Sequence, residues 1–172
     1  MKKFGDRHMK KIVLAAFAAA IAVPAAAAPG DSASTTGTAT AEIVSPIAIV
    51  HDAATLNFGT IVPGTGAGTV TVDASTGVAT GDAEATVVTG ATSSADSFTV
   101  TGDAGRGFDI STGGGSVISG ANAMTFTTTP SAATGTLTGG TANFTVGGAL
   151  SVGANQAGGV YSGTYTASVS YN

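Results

Sequence analysis

Apolar and polar side chains alternate over short stretches from about residue 38 to the end of the chain. The clearest stretch is C-terminal, where Tyr161, Tyr165, Val169 and Tyr171 share one face of an extended strand and Ser and Thr residues occupy the other. A period of two is typical of strands with one buried face. Clusters of Gly, Asp, Asn and Ser between the stretches favour turns. The pattern predicts an all-β protein.

The number and spacing of these stretches favour a β-sandwich. We expect about eight to ten short strands in roughly 130 residues, which is the density typical of sandwich domains. The predicted strands cover residues 38–50, 56–62, 68–72, 85–92, 97–101, 107–111, 124–128, 134–138, 142–152 and 161–171.

The first 27 residues have the pattern of a secretory signal peptide. Five of the six basic residues precede residue 12, a largely apolar run follows over residues 12–23, and small residues surround a predicted cut before Ala28. The apolar run is shorter than the roughly 20 residues that a membrane-spanning helix needs. Both Met1 and Met9 fit as the start of this segment. Residues 28–38 are then a flexible extension and residues 39–172 the sandwich domain, in the periplasm, at the cell surface or outside the cell.

Removal of the signal segment changes the charge of the chain. The full sequence has a formal net charge of −4, but after residue 27 only Arg106 faces nine acidic residues, which gives −8. Nucleic acid is therefore excluded as a partner, because phosphate neutralisation requires basic side chains. The absence of cysteine excludes disulfide frameworks, thiol enzymes and cysteine zinc sites. No second apolar stretch is long enough to span a membrane.

Histidine and glycine-rich motifs do not complete a reactive site. His51 stands beside Asp52 after a predicted strand, but no nucleophile motif accompanies it, so a surface turn is the favoured interpretation. The glycine-rich run 64–68 lacks the lysine and the following helix of a phosphate loop. The loop 102–109 contains one glycine–aspartate unit, whereas calcium-binding repeats of that kind need several stacked copies.

The paired acidic residues do not indicate a hydrolase either. Asp82 with Glu84, and Asp103 with Asp109, supply carboxylates at short spacing, but the chain has no tryptophan and few tyrosines to form a platform for sugar rings. Exposed turn acids are the favoured interpretation. We therefore expect a non-catalytic protein with no catalytic, cofactor or metal site.

The two ends of the expected domain carry a family resemblance. Tyr171 is penultimate and Gly159 is fourteenth from the end, with strict alternation between them, which resembles the C-terminal signature of chaperone–usher pilins. The alternating segment 41–50 followed by Leu-Asn-Phe-Gly at 56–59 is similar to pilins of the archaic, spore-coat-U-like group. The chain also resembles the DUF4402 family of exported bacterial proteins over residues 56–59, 98–102, 146–150 and 158–172.

The resemblance implies an immunoglobulin-like, pilin-like sandwich that lacks one strand and is completed by a strand from a partner. Copies of the same chain, and a periplasmic chaperone and usher, are the implied partners. A subunit and chaperone pairing strand is implied at Gly159, Tyr161, Tyr165, Val169 and Tyr171, and a donor strand at Thr35, Gly37, Ala39, Ala41 and Ile43.

Two features depart from the pilin pattern. Pilins carry a disulfide near the first strand, and this chain has no cysteine. Four of the five candidate donor residues are small or polar and bury little apolar area. Two functions therefore stand side by side: a cell-surface fimbrial subunit assembled by strand complementation, and a self-contained periplasmic or secreted domain that binds a ligand or partner.

Overall fold

A computed structural model describes residue 30 and residues 32–172, so the predicted signal peptide at 1–27 lies outside the described residues. The described part is all-β and compatible with the predicted sandwich, which confirms the fold class. It has no helix that is long and apolar enough to cross a membrane. Its strands are β1 (Ala48–His51), β2 (Ile61–Pro63), β3 (Gly68–Val72), β4 (Ala79–Gly81), β5 (Ala85–Val87), β6 (Asp96–Thr101), β7 (Gly107–Thr112), β8 (Gly115–Ser119), β9 (Asn122–Pro130), β10 (Thr134–Thr136), β11 (Thr141–Val152), β12 (Ser162–Thr164) and β13 (Ala167–Tyr171).

The main sheet is built around β11, the longest of these strands. Its order is β1-β6-β11-β9-β8-β12, and the β3–β4 hairpin also pairs with β11. Val146 lies opposite Asp96 of β6 and Pro130 of β9, so β11 is paired on both sides at its centre. Its first half pairs with β6 and its second half with β3. All the described ladders are antiparallel.

The C-terminal segment passes from the main sheet to a second sheet of order β10-β7-β13. Thr112 lies opposite Ala167 and Ser116 opposite Thr164, so the β7–β8 side carries one extra residue and forms a β-bulge. Gly114 lies in this bulge, where an added Cβ would stand 2.5 Å from the backbone oxygen of Phe126. The bulge divides the predicted strand 161–171 into β12 and β13. A further small sheet pairs β2 with β5.

Apolar side chains from the sheets form two buried clusters. Tyr165 packs against both clusters, with its ring edge-on to Phe98 at 6.3 Å and to Phe126 at 6.1 Å between centroids. The first cluster contains Phe58, Val70, Val72, Ala85, Met124, Phe126, Leu150 and Val152, and the second contains Phe98, Val100, Phe108, Ile110, Leu137, Phe144 and Val146.

Several predicted strand bounds were wrong. Within the predicted strand 38–50 only β1 pairs. Pro46 has no N–H to donate to a ladder, and the backbone dihedral angles of residue 45 before it are restricted. Of 56–62 only the end pairs, as β2, although Asn57 makes one isolated bridge to Ser94. The described residues contain thirteen strands rather than eight to ten, because β4 and β8 were not predicted and the C-terminal strand is divided.

Residues Glu42–Asn172 form one compact unit, and the described residues before Glu42 do not belong to it. Residues 32–41 belong to no strand and are exposed. Residues 32–38 of the predicted extension and residues 39–41 of the predicted domain therefore have their backbone N–H and C=O groups outside any ladder of the described chain.

Candidate binding groove

A large groove runs beside the C-terminal segment. It has a volume of about 1090 Å³, and residues 55–61 and 156–167 are the two longest chain segments that line it. We call it the C-terminal groove. Its size is at the upper end of what ligand sites in proteins reach.

The strand that borders the groove has one unpaired edge. β12 pairs with β8 through Ser162, Gly163 and Thr164, and it is the last strand of the main sheet. Among the described residues no ladder joins β12 to residues 55–61 across the groove. Unpaired N–H and C=O groups of an edge strand are a template for a further strand. The groove is therefore open at a place where a strand could pair.

The floor of the groove is part of the first apolar cluster. Phe58, Met124, Phe126 and Leu150 line it and are 8%, 8%, 6% and 2% exposed, and the half-buried Leu56 adds to them. Their low exposure shows that the groove reaches into the core of the sandwich. Apolar area covered by an occupant would contribute about 25 cal/mol per Å².

The groove has a polar end, where Asp96, His51 and Tyr165 line it. Asp96 is 4% exposed, and its Oδ1 lies 2.7 Å from Nε2 of His51 and 2.8 Å from the backbone nitrogen of Ser97. Its Oδ2 accepts a hydrogen bond of 2.7 Å from the hydroxyl of Tyr165. Because a carboxylate only accepts, Nε2 of His51 carries the proton in this pair. The buried charge is thus held by three donors.

Burial and that carboxylate act together on the hydroxyl of Tyr165. Burial is the largest cause that raises the pKa of Tyr165 above its usual range, and the hydrogen bond to Asp96 adds to it. The phenol therefore stays protonated as a donor at neutral pH. His51 also packs its ring on Phe98, with centroids 5.1 Å apart. Among the described residues, Asp96 and His51 are the only Asp, Glu, Lys, Arg or His side chains that line the groove.

The predicted pairing residues fall into two groups. Gly159, Tyr161 and Tyr165 line the groove, although none of the three belongs to β12, which is Ser162–Thr164. Val169 and Tyr171 do not line it, because they lie on β13 and pack against the second cluster. The hydroxyl of Tyr171 donates to the backbone oxygen of Ser45 at 2.8 Å and accepts from the backbone nitrogen of Asp103 at 2.7 Å.

The predicted donor residues belong to no strand, and all of them are exposed. Ile43 has 96% of its surface exposed, which is unusual for so large an apolar side chain. The next residue back, Glu42, pairs with Arg106 at 2.6 Å. The donor residues are Thr35, Gly37, Ala39, Ala41 and Ile43.

The acids and loops considered for chemistry have structural partners. Asp82 accepts from the backbone nitrogen of Thr69 at 2.7 Å and Glu84 from that of Gly66 at 2.6 Å, so this pair holds the glycine-rich run 64–68. Asp103 pairs with Arg106 at 3.0 Å, whereas Asp109 accepts from the side chain of Asn172 at 3.2 Å. The described residues contain no group of three or more His, Cys, Asp or Glu side chains placed to hold a metal ion.

Asp96 is the groove residue that sequence reasoning missed. The signal was present, since Asp96 shares the alternation of Phe98 and Val100, which are the inward positions of β6. A charged residue at an inward position of a strand needs partners. The partners His51 and Tyr165 stand 45 and 69 residues away along the chain, so no local motif reveals them.

Comparison with known proteins gives one finding about the family. A family model described as a domain of unknown function, DUF4402, matches residues 47–171. No curated protein and no solved structure matches the chain. The matched range contains all thirteen strands of the described residues and both borders of the C-terminal groove. The chain therefore belongs to the DUF4402 family.

Proposed function

We propose that the protein is a non-catalytic structural subunit of the cell surface, assembled by strand complementation. In this proposal, residues 35–43 of one copy insert into the C-terminal groove of the next copy and pair with β12. The single observation that carries it is a groove that opens into the apolar core beside an unpaired strand edge. Added strands gain main-chain hydrogen bonds from such an edge and specificity from pockets for alternate side chains.

The length of the exposed segment suits the groove. The border Tyr161–Ala167 has seven residues, which corresponds to about 23 Å of strand at 3.3 Å per residue. The nine residues 35–43 reach about 30 Å when extended, so they span the groove with some length left to connect the two domains. Residues 35–43 belong to no strand of the described chain, so no ladder has to be broken before they insert.

The charge of the segment suits the groove as well. Residues 35–41 contain no charged side chain, and Asp96 and His51, which line the groove, are hydrogen-bonded to each other. An uncharged strand can be buried there without the large cost of desolvating an unpaired charge. Within residues 35–43, Glu42 is the one charged side chain, and it is paired with Arg106 in the described chain, so Glu42 and Ile43 enter the groove only when that ion pair opens.

The geometry of the compact unit favours open assembly. Residues 42–47 precede β1, and the backbone oxygen of Ser45 among them accepts a hydrogen bond from Tyr171 at the end of β13. The groove lies beside β12. A donor and an acceptor at different places on one surface make a heterologous contact, which forms filaments when it does not close into a ring. Export through the predicted signal peptide and transient cover of the groove by a chaperone belong to the same proposal.

The second candidate is a self-contained secreted or periplasmic binding domain. The observation that favours it is the mismatch between a groove floored by large apolar side chains and a segment in which Gly37, Ala39 and Ala41 are small. In that case the groove would hold a ligand or partner of another kind, and the chain would stay monomeric.

Cysteine pairs distinguish the two candidates, since the chain contains no cysteine of its own. One preparation carries Ala39→Cys and a second carries Thr164→Cys at the groove border, and the two are mixed under oxidising conditions. We expect a disulfide-linked dimer of the two variants. The matched control is Thr71→Cys, which is equally exposed but lies on β3 and does not line the groove.

Deletion of residues 28–41 completes the test. We expect the deleted chain to keep its far-ultraviolet circular dichroism spectrum and to lose oligomers in size exclusion and filaments in electron microscopy. Monomers both before and after the deletion, with cross-linking no greater than in the control, would refute assembly by this segment.

A further inference from the structure

The groove has a polar end as well as an apolar floor, and that end has an unused hydrogen-bond acceptor. An ionised carboxylate offers about four acceptor positions. On Asp96, Oδ1 is used by His51 and by the backbone nitrogen of Ser97, and Oδ2 is used by Tyr165. One position on Oδ2 therefore has no donor among the described residues, and this carboxylate lines the groove.

The exposed segment is rich in hydroxyl donors. Within residues 32–41, six of the ten side chains are Ser or Thr, and the others are Ala and Gly. The hydroxyl-bearing residues are Ser32, Ser34, Thr35, Thr36, Thr38 and Thr40. Such a sequence gains little from burial in an apolar groove, so the apolar floor alone does not account for it.

We propose that Asp96 is the specificity-determining residue of the C-terminal groove and selects a strand that brings a threonine or serine hydroxyl to its open acceptor position. This inference rests on the proposed function, because it takes the occupant to be residues 35–43 of a second copy. It gives a role to the buried carboxylate that lines the groove and to one hydroxyl of the segment.

Selection follows from the cost of leaving the acceptor unfilled. An inserted strand removes the remaining water from Asp96, whose carboxylate then needs a donor from the strand. Valine has nearly the shape of threonine but no hydroxyl, so a valine-containing strand covers the charge without satisfying it. Sites built to bind a hydroxyl reject analogues that lack it, whereas purely apolar sites discriminate weakly. A purely apolar groove would bind the valine-containing strand more tightly. The two kinds of groove therefore predict opposite preferences between the two strands.

The test compares two fluorescent peptides by anisotropy. One has the sequence of residues 33–43, and the other has valine in place of Thr35, Thr36, Thr38 and Thr40. The protein is the chain of residues 28–172, at a concentration below that at which it assembles. We expect the threonine peptide to bind at least about 10-fold more tightly, since hydrogen bonds to charged groups are among the strong ones.

Two Asp→Asn variants locate the source of the preference. Asp96→Asn removes the charge, and we expect the preference to fall below about 3-fold, as for neutral hydrogen bonds. Asp52→Asn is the matched control, since Asp52 binds the hydroxyls of Ser97 and Thr99 at 2.6 and 3.0 Å and does not line the groove. It should keep the full preference.

Each outcome decides one question. Equal binding of both peptides to the unmodified chain, or tighter binding of the valine peptide, overturns the inference and leaves strand complementation intact. A preference that survives in a folded Asp96→Asn chain overturns the role of Asp96. Failure of both peptides to bind, together with no assembly of the chain, overturns the proposed function itself. If Asp96→Asn does not fold, the comparison on the unmodified chain still decides the selection of hydroxyls.

Discussion

Replacement of Tyr165 by phenylalanine removes one hydroxyl and keeps the aromatic ring that joins the two apolar clusters. That hydroxyl donates a 2.7 Å hydrogen bond to Asp96, a carboxylate that is 4% exposed. A hydrogen bond to a charged group contributes about 1.5–3 kcal/mol, and its loss leaves a buried acceptor with fewer donors. We expect the free energy of unfolding to fall by about 2 kcal/mol, without the cavity cost of a larger truncation.

Urea denaturation followed by far-ultraviolet circular dichroism measures this change, since the chain has no tryptophan for fluorescence. Tyr161→Phe is the matched control, because its hydroxyl has only uncharged partners: it donates to the backbone oxygen of Ala157 at 2.7 Å and accepts from the side chain of Gln156 at 2.9 Å. Its expected loss is below about 1 kcal/mol. The slope of unfolding free energy against urea should be unchanged in both variants. Equal losses in the two variants would show that burial of the charge does not set the cost.

Three further predictions concern the same region. Leu150→Ala at the groove floor, where the side chain is 2% exposed, should lower the free energy of unfolding by about 2–5 kcal/mol in urea denaturation. Gly163→Ala should lower the melting temperature, because a Cβ there would collide with the backbone oxygen of Ser116, whereas Gly158→Ala meets no atom within 4 Å and should leave it nearly unchanged. Burial raises the pKa of Tyr165, so the unfolded chain loses the phenol proton at a lower pH than the folded chain does. The free energy of unfolding should therefore fall as pH rises above about 10, and it should fall less steeply in Tyr165→Phe. Thermal melts at several pH values measure both slopes.

Part of the groove could be predicted from local patterns. The alternation over 161–171 correctly places Tyr161, Tyr165, Val169 and Tyr171 on the more buried face, because a period of two is a property of the extended backbone itself. Which of these residues reach the groove depends on the bulge at Gly113 and Gly114. That bulge lies some 50 residues earlier, and its position follows from the pairing register.

The sequence alone determined the class of the protein. Alternation, turn residues and the absence of cysteine are local or compositional, and they were enough to predict an all-β chain held by pairing and packing. The sequence did not predict that Asp96 lies beside His51 and Tyr165. It also did not predict that the edge of β12 is unpaired where the groove is lined by residues 55–61. Those features arise from contacts between residues far apart in the chain, which the period of a strand does not encode. The tertiary structure therefore decided where the groove lies, that it opens into the core, and that a buried charge stands at one end.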